Sequence, residues 1–197
     1  MARILASARV AAFCLAAFAG SCARPAPAGP EPIGAVADFL LTDQDGAPFG
    51  LADLHGSVWV TDFFFTSCPS FCPLLTQAMG ELAQEFAGEP ALRFLSVTVD
   101  PATDTPAVLR AHAAERGLPQ ERWRFVTGDK AAIRELCERS FLLAFGEDLG
   151  ADGDILHSSR LVLVDAQGRV RGYYDALDPA ARKPLRDALR AVLAEPR

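Results

Sequence analysis

The sequence predicts an α/β domain in which a mixed β-sheet carries helices on both faces. Two mostly apolar runs, 58–65 and 92–99, are rich in β-branched and aromatic residues and read as strands buried on both sides. Segments with helical spacing of apolar residues alternate with these runs, which requires crossovers and parallel pairing. Near the C-terminus two further runs flank Asp165-Ala166-Gln167-Gly168, a hairpin signal that adds antiparallel strands.

In chain order, Phe39–Thr42 and Phe49–Leu51 flank Asp43-Gln44-Asp45-Gly46 and predict an N-terminal hairpin. Val58–Phe65 is the central strand. Leu74, Leu75, Ala78, Met79, Leu82 and Phe86 recur at helical spacing and predict a helix ending near Gly88-Glu89-Pro90. Leu92–Val99 is the next strand. Asp104-Thr105-Pro106 supplies a cap and a first-turn proline for a helix running to Gly117. Trp123–Thr127 is a short strand, and Asp129 caps a helix extending to about Leu143. Leu161–Val164 and Arg169–Tyr174 form the closing hairpin. Pro184–Ala194, with Leu185, Leu189, Val192 and Leu193 on one side, is the last helix. This order is the thioredoxin-like plan, with an N-terminal hairpin added.

The chain has 197 residues, enough for one ordinary domain and a removable N-terminus. Arg3 and Arg9 precede an apolar run from Val10 to Gly20, too short for the roughly 20 residues a membrane span needs, which reads as an export signal over residues 1–21. The small residues Ala19-Gly20-Ser21 before Cys22 resemble a bacterial lipoprotein cleavage box. Cys22 is therefore the expected lipidation site, with Ala19 in place of the usual leucine. Residues 22–34 hold Pro25, Pro27, Pro30 and Pro32 and predict a semi-extended tether. The folded domain is expected over residues 35–197, on the outer face of a bacterial membrane. The net charge is −6, and −8 once Arg3 and Arg9 are removed, which argues against a nucleic-acid partner and leaves cationic or metallic cargo open.

Five cysteines are too few for a disulfide scaffold and inform through position. Cys68 and Cys72 stand where the central strand gives way to a helix, in Thr66-Ser67-Cys68-Pro69-Ser70-Phe71-Cys72-Pro73. Spacing i, i+4 is expected to bring both sulfurs onto the first helical turn, where backbone N–H groups and the helix dipole ease ionisation of both thiols. Such a pair closes a disulfide or binds a soft metal. Three intervening residues, one more than in dithiol oxidoreductases of this plan, widen the pair and suit two corners of a metal site. His157, in the loop before the Leu161–Val164 strand, occupies the place that lies against the dithiol in this plan and is expected to complete a two-sulfur, one-nitrogen site. Copper fits such ligands, with zinc as the metallic rival. Asp62 interrupts an apolar strand six residues before Cys68, as the buried aspartate of thioredoxin does. It is either a proton acceptor for Cys72 or a polar strand anchor.

Three segments together resemble the signatures of the Sco/SenC family: Asp62–Pro73, Val99-Asp100-Pro101-Ala102-Thr103-Asp104-Thr105-Pro106 and Leu156-His157-Ser158-Ser159. The resemblance covers about residues 35–195. It implies a membrane-tethered, thioredoxin-like protein that binds one copper ion and helps deliver copper to subunit II of cytochrome c oxidase; it leaves the copper donor open. Carried over by position, Cys68, Cys72 and His157 are the ligands of Cu(I) or Cu(II). Many members hold an aspartate between the cysteines, where this chain has Ser70 and Phe71. The alternative is a thiol–disulfide oxidoreductase that reduces a partner's cysteines for copper loading and needs Cys68 and Cys72 but not His157. A peroxide-reducing enzyme would need an arginine beside the thiol, for which Arg160 is the nearest candidate. Among the remaining residues, His55 is expected in a solvated loop, His112 on a partly covered helix face, and Cys137 as a small buried side chain. Glu147, Asp148, Asp152 and Asp154 read as a solvated acidic loop, and Asp100 and Asp104 as fixing a strand-to-helix turn.

Overall fold

The computed structural model describes residues 28–145 and 158–196. Among them, eight strands form one sheet in the order β1-β8-β7-β4-β5-β6-β2-β3. The strands are β1 (Gly34–Ala35), β2 (Leu40–Asp43), β3 (Pro48–Gly50), β4 (Val58–Phe64), β5 (Leu92–Thr98), β6 (Trp123–Thr127), β7 (Arg160–Val164) and β8 (Arg169–Asp175). The helices are α1 (Cys72–Glu85), α2 (Pro106–Glu115), α3 (Lys130–Glu135) and α4 (Pro179–Leu193). β4, β5 and β6 pair in parallel, whereas β7 runs antiparallel to β4 and β8 antiparallel to β7. This is the expected thioredoxin-like plan.

All seven residues of β4 are buried, because β5 and β7 cover its edges and packed layers cover its faces. Strand alternation divides it cleanly. Val58, Val60 and Phe64 join the core beneath α1, α2 and α4; Trp59 and Phe63 join the opposite core with Ile133 and Phe141. Asp62 shares the parity of Val60 and Phe64 and so belongs to the α1 face.

Capping sets the helix starts. Thr105 accepts from Val108 N–H and Asp129 from Ala132 N–H at 3.0 Å, as their positions before each helix require. Two expectations are corrected. The third helix does not run as α-helix to Leu143: it ends at Glu135 and widens into a π turn over Leu136–Ser140. The extra residue seats buried Phe141 edge-on against Trp59 and Phe63, and the Ser140 hydroxyl accepts from Ala37 N–H. The last helix does not start at Pro184 but at Pro179, where Asp178 accepts from Ala180 N–H at 2.8 Å. Pro184 sits inside that helix on its exposed side, where the carbonyl it leaves unbonded meets water.

The chain entering the domain is bound at the end of the sheet opposite the C-terminus of β4. Gly29 N–H donates to Glu195 at 3.2 Å, Ile33 N–H to Val170 O at 2.8 Å, and Gly34–Ala35 pairs with β8. Arg171, only 4% exposed, joins these pieces. It donates to Asp165 at 3.0 Å, to both carboxylate oxygens of Glu195, and to Pro30 O. Among the described residues no helix is long and apolar enough to cross a membrane.

Candidate metal and redox centre

β4 delivers the chain to a turn, Phe65–Phe71, that leads into α1. Cys72 is the first helical residue, but Cys68 lies in the turn ahead of it, not on the first helical turn as expected from the spacing. Pro69 explains this, since a residue before proline is pushed away from helical geometry. The two thiols still meet: Cys68 and Cys72 are 6% and 3% exposed, belong to one core cluster, and hydrogen-bond through their sulfurs.

Their environments are opposite, which corrects the expectation that both ionise easily. Burial pushes the Cys68 thiol up, but hydrogen bonds to its sulfur outweigh this and bring it down to about 6. They come from the Ser70 hydroxyl at 3.4 Å, the backbone N–H groups of Cys72 and Ser70, and the Cys72 thiol. Phe71, in the N-cap position, contributes no side-chain cap; Pro73 has no N–H and the Leu74 and Leu75 amides donate to Phe71 O, so of the first helical amides it is that of Cys72 that serves the sulfur. Cys72 is pushed far up, first by burial; a hydrogen bond from the Phe65 backbone opposes this, and the bond and charge of Cys68 and the charge of Asp62 add to the rise. At neutral pH the pair is therefore one thiolate and one thiol.

Asp62 is 1% exposed, and neither carboxyl oxygen has a hydrogen-bond partner among the described residues. Its register partner Ser96 accepts from Trp123 Nε1 at 2.9 Å and keeps its own O–H to turn toward Asp62, without closing a bond of normal geometry. Burial raises Asp62 to about 7, with Ser96 opposing weakly. A strand anchor would be hydrogen-bonded, and among the described residues neither oxygen of this carboxyl is.

Asp104 does more than fix a turn. Fully buried, it accepts from Thr66 N–H at 3.0 Å, from the Thr66 hydroxyl, and from the Thr98 hydroxyl at 2.5 Å. It thus ties the dithiol turn to the end of β5. Nothing local in the sequence announces this, because the three residues meet only through the β4–β5 register. His112 is also more buried than expected, packed against Phe64 and Phe125, with burial first and Arg116 second lowering it to about 4. Cys137 is buried as expected, and burial raises it to about 12, with Glu138 adding to the rise. His55 is exposed.

His157, the acidic loop and Cys22 lie outside the described residues. Among the described residues no three His, Cys, Asp or Glu side chains gather as a metal site. The described part of the centre is the dithiol, its braces and Asp62.

A buried dithiol at the end of the central strand of this sheet defines a thioredoxin-like protein with a metal- or disulfide-competent centre. Residues 28–193 match the SCO1/SenC family, and the chain belongs to that family. Three solved structures show the likeness. A SCO1/SenC family lipoprotein from Bacillus anthracis is 32% identical, with a TM-score of 0.74 over 84% of this chain and 98% of that one. BsSco, described as a Sco-family cytochrome c oxidase assembly protein with a disulfide switch, is 29% identical, with a TM-score of 0.75 over 86% of this chain and 100% of that one. Bradyrhizobium japonicum ScoI, solved with copper bound, is similar in fold at 23% identity, with a TM-score of 0.57 over 84% of this chain and 98% of that one.

Proposed function

We propose that this protein carries one copper ion on Cys68, Cys72 and His157 and hands it to a copper-accepting protein, cytochrome c oxidase subunit II, during oxidase assembly. The observation that carries the reading is the buried, asymmetric dithiol. Two adjacent sulfurs, one already a thiolate at neutral pH, are the donor set a soft ion such as Cu(I) prefers. Burial excludes competing water. The imidazole of His157 supplies the harder donor that helps hold Cu(II). As the ion binds, Cys72 must lose its proton, and Asp62, on the same face of β4 and titrating near 7, accepts it. Family membership and the copper-bound relative support the cargo; the lipoprotein relative supports export and a lipid on Cys22.

A second reading rests on the same asymmetry. A low thiol that attacks and a high thiol that waits is the arrangement of a disulfide reductase, and the disulfide switch described for BsSco is consistent with it. Copper titration of the reduced protein and its His157→Ala variant separates the two. The carrier reading expects Cu(II) affinity to fall about 10²-fold, or about 3 kcal/mol, with a smaller loss for Cu(I) and an intact Cys68–Cys72 disulfide. Unchanged copper affinities together with lost reduction of partner thiols would replace it with the reductase.

A further inference from the structure

The two sulfurs of the centre are held by different elements. Cys72 is the first residue of α1 and moves only with that helix. Cys68 belongs to a turn, so its position relative to Cys72 depends on what fixes the turn. Two residues before Cys68, Thr66 directs both its backbone N–H and its hydroxyl at Asp104, using a different carboxylate oxygen for each. The Thr98 hydroxyl takes a second place on Oδ2.

Asp104 is itself a rigid post. Its N–H donates to Asp100 O at 2.9 Å, and Asp100 N–H donates to Thr98 Oγ1 at 3.0 Å. Thr105 next to it caps α2. The carboxylate is fully buried, and what meets it is three donors belonging to two neighbouring segments. Burying an acid is costly unless it is so matched, and the turn itself is already specified by Thr105 and Pro106.

We propose that Asp104 is a positioning residue for the dithiol: through Thr66 it sets where Cys68 stands against Cys72, and so tunes both the disulfide equilibrium and copper affinity. The copper half of this statement rests on the function proposed above; the disulfide half does not. The disulfide step is balanced by glutathione. Cys68 and Cys72 give two electrons to glutathione disulfide, its sulfur–sulfur bond breaks as one forms in the protein, and two glutathione molecules leave, one with the Cys72 proton and one as a thiolate that takes its proton from water.

Asp104→Asn tests it with the shape unchanged. An amide offers one acceptor oxygen and an NH₂ that can only donate, so three bonds to a carboxylate become weaker neutral ones and the Thr66 hydroxyl must turn from donor to acceptor to keep its place. Thr66→Val removes only the hydroxyl bond, and Thr66→Ser restores it. Two quantities are read on each purified protein: the equilibrium constant with glutathione, and Cu(I) affinity by competition with a chromophoric chelator. Asp104→Asn is expected to shift the exchange constant about tenfold, equivalent to about 30 mV, and to weaken Cu(I) about tenfold. Thr66→Val should move both in the same direction by less, and Thr66→Ser should match the parent. Folded Asp104→Asn and Thr66→Val proteins with parental exchange constants, whatever their melting temperatures, would overturn the proposal and leave Asp104 a structural support. If Asp104→Asn fails to fold, Thr66→Val against Thr66→Ser decides. If the parent itself binds no Cu(I) at the dithiol, the carrier reading falls, and the exchange constants still decide the role of Asp104.

Discussion

Replacing Asp62 by asparagine should change how stability depends on pH. In the unfolded chain this carboxyl titrates at its ordinary 3.8; in the folded protein burial holds it near 7. As pH rises the unfolded state therefore loses its proton first. Stability falls from about pH 4 through about pH 7 and levels off above, where both states are ionised. The gap between 3.8 and about 7 is worth about 4 kcal/mol. The amide side chain of the variant cannot ionise, so Asp62→Asn escapes this loss. Cys68 acts in the opposite sense: its folded value lies below its unfolded value, so stability rises between about pH 6 and pH 9. That contribution is common to both proteins and cancels in their difference. Urea unfolding of the reduced, metal-free pair at pH 4, 6 and 8 measures the effect. The amide leaves polar atoms unpaired, as the acid does, so the absolute offset is about 1–3 kcal/mol in either direction. The advantage of Asp62→Asn over the parent should nonetheless grow by about 4 kcal/mol from pH 4 to pH 8. Parallel pH profiles for the two proteins would refute the claim that burial holds this acid near neutrality.

Three other outcomes follow from the structure. Ser70→Ala removes the hydroxyl that donates to Cys68, so the alkylation rate of Cys68 should show its inflection above the parent's value of about 6, while Cys72 stays unreactive at neutral pH in both. Arg171→Met leaves Asp165 and Glu195 without their shared cation and frees Pro30 O; denaturant unfolding should show a loss of about 3–5 kcal/mol, and a loss below about 1 would show that the cluster is dispensable. Intact-mass measurement of protein extracted from membranes should find a mature chain that begins at Cys22 and carries acyl mass; an unacylated chain beginning elsewhere would rule out the lipid anchor.

The sequence showed the order of strands and helices because the signals were local. Val58–Phe64 and Leu92–Thr98 are apolar on both faces, and Thr105-Pro106 and Asp129 mark helix starts with their own side chains. It misled where a local signal competed with another or with packing. Pro184 looked like a first turn until Asp178-Pro179 supplied a better one, and the π turn at Leu136–Ser140 exists to seat Phe141, which lies outside it. β1, two residues long, has no periodicity to read. The centre divides the same way. Cys68, Cys72 and Asp62 were visible from spacing and from one acid in an apolar run. The split between the thiols was not, because it depends on which sulfur the Cys72 amide and the Ser70 hydroxyl reach. Asp104 was read only as fixing a turn, because its partners, Thr66 and Thr98, lie on other segments and converge only in the folded sheet.

X-ray absorption of the copper-loaded protein tests the central claim most directly, because it counts the donors around the ion. The account predicts one copper per chain with two sulfur scatterers and one imidazole nitrogen, the nitrogen signal disappearing in His157→Ala and a sulfur disappearing in either Cys68→Ala or Cys72→Ala. A shell of oxygen and nitrogen without sulfur, or a spectrum that the three substitutions leave unchanged, would contradict it.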